Sequence, residues 1–185
     1  MRAIDTFRSG LLAGVCALVV ASSVSSIANA SPFGQGVFGA DVPFGSITSL
    51  AIDLGGNVSL NLVPDSGNLR GSGSHTVTVT STDVVGYQLF VRSTASANLV
   101  NGSSSIGASG NSTPSALSLN SWGFNTDGST NFIGMTTTPY LIKDTTGPSK
   151  NGDSTTVTYG AYTSSTQPAG VYTTSVTYTA VAENQ

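Results

Sequence analysis

The residues that could do chemistry are few. His75 is the only histidine and Cys16 the only cysteine. A hydrolase triad needs a nucleophile, a base and an orienting acid. His75 is the one imidazole available, and it stands at an expected strand start among glycine and serine, where a solvated edge histidine is the reading. Paired carboxylates could cleave a glycosidic bond, and Asp127, Asp144 and Asp153 are the candidates. All three sit among Gly, Ser and Thr, where aspartate caps and shapes turns. Asp144, Asn151 and Asp153 offer oxygen atoms of the kind calcium prefers. Their spacing does not match an EF-hand loop, and Lys143 and Lys150 bring positive charge to the same stretch. An intramolecular Lys–Asn isopeptide bond would need Lys143 or Lys150 in a buried setting, and both flank a loop. No catalytic, cofactor-binding or metal residue is therefore expected, and the chain reads as a non-enzyme.

Trp122 is the best single candidate for ligand contact, with Phe124, because aromatic faces stack on sugars and are enriched at recognition sites. The competing expectation is that Trp122 is the large core residue of the domain. Tyr87, Tyr159, Tyr172 and Tyr178 fall at inward strand positions. Thr-x-Thr runs recur, but the strand propensity of threonine accounts for them.

The elements that position these residues begin after residue 30. Arg2 and Arg8 precede an apolar run, residues 11–21, then a polar spacer and Ala28-Asn29-Ala30 before Ser31. This is the tripartite pattern of a secretory signal peptide, an N-terminal signal helix removed between Ala30 and Ser31. The run is short of the ~20 residues that span a bilayer, so no stable membrane span is expected after cleavage. Cys16 lies inside the signal, so the secreted chain has no disulfide or thiolate site. Localisation is expected to be extracellular, at the cell surface.

Charged residues make up only 8% of the chain, against roughly 25% in ordinary globular proteins. After the signal the cations are Arg70, Arg92, Lys143 and Lys150 alone. Nucleic acids are bound by clustered cations that displace counterions. Without a cluster, a nucleic-acid partner is excluded.

Residues 31–45 are rich in Gly and Pro with three Phe, and read as an extended segment. Residues 46–185 read as one domain. Residues 47–54 and 58–63 alternate and are separated by Gly55-Gly56-Asn57, which predicts a hairpin. Residues 65–74 read as loop. Residues 75–80 place Val77 and Val79 inward, and residues 87–92 place Tyr87, Leu89 and Val91 on one face. Residues 98–115 are either a long loop or hide a short strand near Ser105-Ile106. Strands are expected over 117–124, 131–135, 139–143 and 155–162. The last stretch alternates Tyr172, Thr174, Val176, Tyr178 and Ala180 against a hydroxylated face. About eight to ten short strands with Gly, Asn and Pro turns predict an all-β, antiparallel sandwich, Ig-like or jelly-roll-like.

Several blocks together carry a resemblance: residues 58–64, the Thr-Val-Thr-Val-Thr run from Thr76, Gly86-Tyr87-Gln88-Leu89, Ser121-Trp122-Gly123-Phe124, and the closing strand from Ala169 to Ala180. The chain resembles secreted or surface proteins of host-attached bacteria of the Saccharibacteria type. More distantly it is similar to the WxL cell-wall-binding domain. That likeness implies non-covalent attachment to peptidoglycan, with Tyr87-Gln88-Leu89 and Trp122-Gly123-Phe124 at the two Trp-x-Leu positions. Neither motif is intact. The expected partner is a cell-wall glycan or a surface protein, with Trp122 and Phe124 as contacts. The alternative is a subunit of a surface fibre or coat, assembled by strand addition.

Overall fold

The computed structural model describes residues 49–183. The signal segment with Ala28, Ala30 and Ser31, and the extended segment 31–45, lie outside the described residues. Within them the fold is all-β, with no helix and with its strands in two sheets. Among the described residues, therefore, no helix is long and apolar enough to cross a membrane.

The eleven strands are β1 (Ser49–Leu54), β2 (Val63–Asp65), β3 (Asn68–Thr82), β4 (Gly86–Ser93), β5 (Leu99–Asn101), β6 (Ser104–Ala108), β7 (Ser121–Asn125), β8 (Ile133–Gly134), β9 (Tyr140–Asp144), β10 (Asp153–Ser164) and β11 (Val176–Glu183). The larger sheet runs β1-β3-β10-β7-β6-β5, with β2 on β3 and β8 on β7, and it curls into a half-barrel. The smaller sheet runs β11-β4-β9. One apolar core draws on both. Val77 and Val79 of β3, Trp122 and Phe124 of β7, and Val157 and Tyr159 of β10 meet Tyr87, Leu89 and Val91 of β4. Alternating residues of a strand face opposite ways, which is why the period-two reading of β3 and β4 gives these inward residues.

Two expectations change outright, the Gly55-Gly56-Asn57 hairpin and the 65–74 loop, and the expected antiparallel pairing fails in one place, where β6 runs parallel to β7. Gly55-Gly56-Asn57 does not turn a hairpin. β1 pairs with β3 instead, from Ser49↔Thr82 to Leu54↔Val77. Residues 58–62 are extended without strand pairing, and they lie across β3. A Cβ on Gly73 would stand 2.7 Å from the Ser59 carbonyl oxygen, and one on Gly71 would collide with the Asn61 carbonyl. Two side-chain-free positions thus let one backbone cross another, while Val58, Leu60 and Leu62 pack on the core.

Residues 65–74 are not a loop. Ser66 (φ 51°) and Gly67 (φ 85°) form a two-residue turn between β2 and β3, and Asp65 pairs with Asn68. Two positive φ values at the corner match the twist of a hairpin. β3 is consequently 15 residues long and pairs along its whole first half with β10, down to Ser164↔Asn68. Residues 98–115 hold a strand pair, β5 with β6, and Ile106 is buried.

Candidate functional site

Trp122 and Phe124 are core residues, at 2% and 1% exposure. β7 lies between β10 and the strands β6 and β8, and all five of its residues are buried. The Trp122 indole N–H donates to the Ala97 carbonyl at 2.9 Å. Its ring lies 6.2 Å from that of Tyr159, and Phe124 meets Tyr140 edge-on at 5.6 Å. A surface ligand stacks on an exposed ring, so the expectation that these two side chains are the contact residues is corrected. Their chemistry is spent on packing.

The chemically active side chains form two polar ties between the sheets. In the first, the Gly56 carbonyl lies 2.8 Å from His75 Nδ1, and His75 Nε2 lies 2.7 Å from the Tyr178 hydroxyl. The Tyr159 hydroxyl is 2.6 Å from that of Tyr178. A carbonyl only accepts, so Nδ1 carries a proton. In the neutral ring Nε2 then accepts from Tyr178, and Tyr178 accepts from Tyr159. His75 is thus half-buried and bonded on both nitrogens, not a solvated edge residue. Burial pushes the Tyr159 phenol up to about 12. Burial, together with the neighbouring Tyr159, also raises Tyr178. Both phenols stay protonated at any ordinary pH, so neither supplies a phenolate nucleophile there.

In the second tie, Lys143 of β9 pairs with Asp153 of β10 at 2.5 Å. The Tyr87 hydroxyl donates to the other carboxylate oxygen at 2.8 Å. Burial pushes the Asp153 carboxyl up, but the hydrogen bonds from Lys143 and Tyr87 and the lysine charge outweigh it, leaving it below the usual range. Burial and the Asp153 contact raise the Tyr87 phenol. Both Asp153 oxygens are engaged in this tie, one by Lys143 and one by Tyr87. Lys143 faces a carboxylate rather than an asparagine. Asp127 shapes a turn: the Ser129 N–H donates to it at 3.0 Å, and this bond with the Ser129 hydroxyl lowers its carboxyl.

Among the described residues, one groove open to a ligand has a volume of about 630 Å3. The β2–β3 hairpin contributes Pro64, Asp65 and Arg70. β10 contributes Thr158 and Gly160, and the segment after β7 contributes Ser129 and Thr130. Thr158 and Gly160 alternate with Val157, Tyr159 and Ala161, which are buried in the core. The same strand therefore presents a core face and a groove face. Gly160 has no side chain because Phe132 lies against it, where a Cβ would strike the ring.

Two buried or bonded amides shape this region. Asn125, at 2% exposure, donates to the Ser129 and Asn131 carbonyls at 2.9 and 2.8 Å. Asn111 donates to the carbonyls of Ser115, Ala116 and Phe132. Arg70 is the groove's cation. Its Nε donates to Asp65 at 3.0 Å, and its side chain is 41% exposed. The guanidinium carbon stands 4.3 Å from the centre of the Tyr162 ring, a cation–π contact. Asn68 donates to the Tyr162 hydroxyl at 3.0 Å. The result is a cation held in place by a carboxylate and a ring, beside hydroxyls and a flat glycine position. That arrangement can hydrogen-bond a hydroxyl-rich ligand and pair with a carboxylate.

Arg70 lies on β3, shortly after the hairpin turn, within a stretch whose Gly and Ser content resembles a loop. The signal that finds it is Asp65-Ser66-Gly67-Asn68, a turn sequence with Val63-Pro64 and Leu69-Arg70 on either side. In comparisons with known proteins, no family model matches the chain and no curated protein matches it.

Proposed function

We propose that the chain is a secreted, non-catalytic β-sandwich protein of a bacterial surface that attaches non-covalently to a cell-wall glycan through the Arg70 groove. The sandwich reading rests on one core being shared by two sheets. The extracellular address rests on the signal pattern of residues 1–30 and on a secreted chain without cysteine. The resemblance to WxL domains supplies the ligand class, but not the contact residues, since Trp122 and Phe124 are buried.

The observation that carries the reading is the immobilised guanidinium. A side chain already held by Asp65 and Tyr162 loses little further freedom on binding, which favours affinity. Cell-wall glycans present hydroxyls and, on their peptide stems, carboxylates. Hydroxyls meet Ser129, Thr130 and Thr158, and a carboxylate meets the arginine fork.

The test is an NMR titration of the protein with soluble wall fragments. Backbone signals of Arg70, Ser129 and Thr158 move with concentration, while those around Trp122 stay still. Shifts centred on β7, or no saturable shifts at all, sink the assignment.

A further inference from the structure

The groove holds two opposite charges side by side. Asp65 pairs with Asn68 between β2 and β3, and Arg70 lies opposite Val63 on one side and Tyr162 on the other. Residues two apart on a strand share a face, and diagonal neighbours are within reach of long side chains. Asp65, Arg70 and Tyr162 therefore form a row across three strands. Arg70 Nε donates to Asp65 Oδ2 at 3.0 Å, and the two side chains are 41% and 45% exposed. Neither is saturated by this bond. A guanidinium has about five N–H donors, and Nε supplies one of them. A carboxylate offers about four acceptor positions, and beside Nε Asp65 accepts only from the Ser66 hydroxyl, at 3.3 Å.

The pair selects for charge. A lone carboxylate entering the groove is attracted by Arg70 and repelled by Asp65, and the two effects largely offset each other because the charges are adjacent. A ligand that brings an ammonium together with its carboxylate is attracted by both. An amino-acid zwitterion carries these two groups on one carbon, a spacing that suits a cation and an anion in hydrogen-bond contact. Val63 is directly across from Arg70 and 51% exposed. It lines the groove with Leu117, so the aliphatic chain behind such a zwitterion finds apolar surface next to the charges.

We propose, resting on the wall reading of this groove, that Arg70 and Asp65 together hold the zwitterionic amino-acid end of a stem peptide. Its carboxylate lies on Arg70 and its ammonium on Asp65. A stem that ends in diaminopimelate carries such an end. Asp65 is then the specificity residue: by like-charge repulsion it turns the groove away from ligands that bring an anion alone.

The experiment titrates the protein, followed by NMR, with a disaccharide-peptide wall fragment ending in diaminopimelate and with the same fragment acetylated at its free amine. Acetylation removes the positive charge and keeps the carboxylates and the sugars. The expected result is a loss of affinity of roughly tenfold or more, the worth of one hydrogen bond between charged groups. Asp65→Asn keeps the size of the side chain and removes its charge, and the two fragments then bind with closely similar affinity. Equal affinity of both fragments for the unaltered protein overturns the proposal and leaves wall binding by the groove standing. A preference for the free amine that survives Asp65→Asn overturns the role of Asp65. Binding of neither fragment overturns the proposal and the groove reading together. The comparison on the unaltered protein decides even where the variant fails to fold.

Discussion

Tyr159 and Tyr162 stand three residues apart on β10 and face opposite ways. Tyr159 lies under the core, its ring near Trp122 and its hydroxyl tied to Tyr178. Tyr162 lies on the groove side, beneath the Arg70 guanidinium and bonded to Asn68. The residue type is the same, but the surroundings give one a structural task and leave the other as a platform. The pair explains why the lone tryptophan misleads. An aromatic's role is set by which face of its strand is covered, and β7 is covered on both.

This contrast can be broken by substitution, beginning on the core side. Trp122→Ala removes the largest buried side chain and orphans the Ala97 carbonyl. Large-to-small aromatic replacements in cores cost about 3–5 kcal/mol. Urea unfolding is expected to show a loss in that range, and a loss below ~1 kcal/mol would mean that the ring is not packed as described.

Tyr178→Phe keeps the ring and deletes one hydroxyl, but it strips a partner from both His75 and Tyr159. Leaving buried polar groups unpaired costs about 1–3 kcal/mol. His75→Gln combined with Tyr178→Phe is expected to cost less than the sum of the two single changes, because the partners belong to one network. A strictly additive double variant would contradict the tie.

Lys143→Met tests the second tie, and its effect depends on pH. The folded Asp153 carboxyl titrates below its unfolded value, which lies near ~3.9. The ion pair's contribution is therefore fully present above that value and fades as pH falls through the lower folded one. The variant is expected to be less stable by about 1 kcal/mol at neutral pH, a modest figure because the pair is partly exposed. That gap should close in strong acid. Stability measured across a pH series checks the sign, and a gap that widens toward acid would contradict it.

Much of the core was legible in the sequence. Val77 and Val79, and Tyr87, Leu89 and Val91, announce themselves by alternation, and each is 0% exposed. The first half of β3 was not legible. Its Gly71, Ser72, Gly73 and Ser74 have little strand propensity, and they are strand because β10 pairs with them, while the two glycines leave room for residues 58–62 to cross. The pairing of β1 with β3 rather than with its sequence neighbour is likewise a long-range choice. Of the site, the hydroxyls and Arg70 are visible as residues. Their convergence depends on a hairpin at Ser66-Gly67 and on the amides of Asn125 and Asn111, whose partners are distributed along the chain.

The groove side is where the smallest stability effect and the largest functional effect coincide. The most direct measurement is co-sedimentation of the protein with purified peptidoglycan, comparing the unaltered chain with Arg70→Ala. The replacement touches only a partly exposed ion pair and ring contact, so unfolding should shift by less than ~1 kcal/mol. The account predicts that the unaltered protein pellets with the wall and that folded Arg70→Ala stays in the supernatant. Equal pelleting of the two proteins, or no pelleting of the unaltered one, would contradict it.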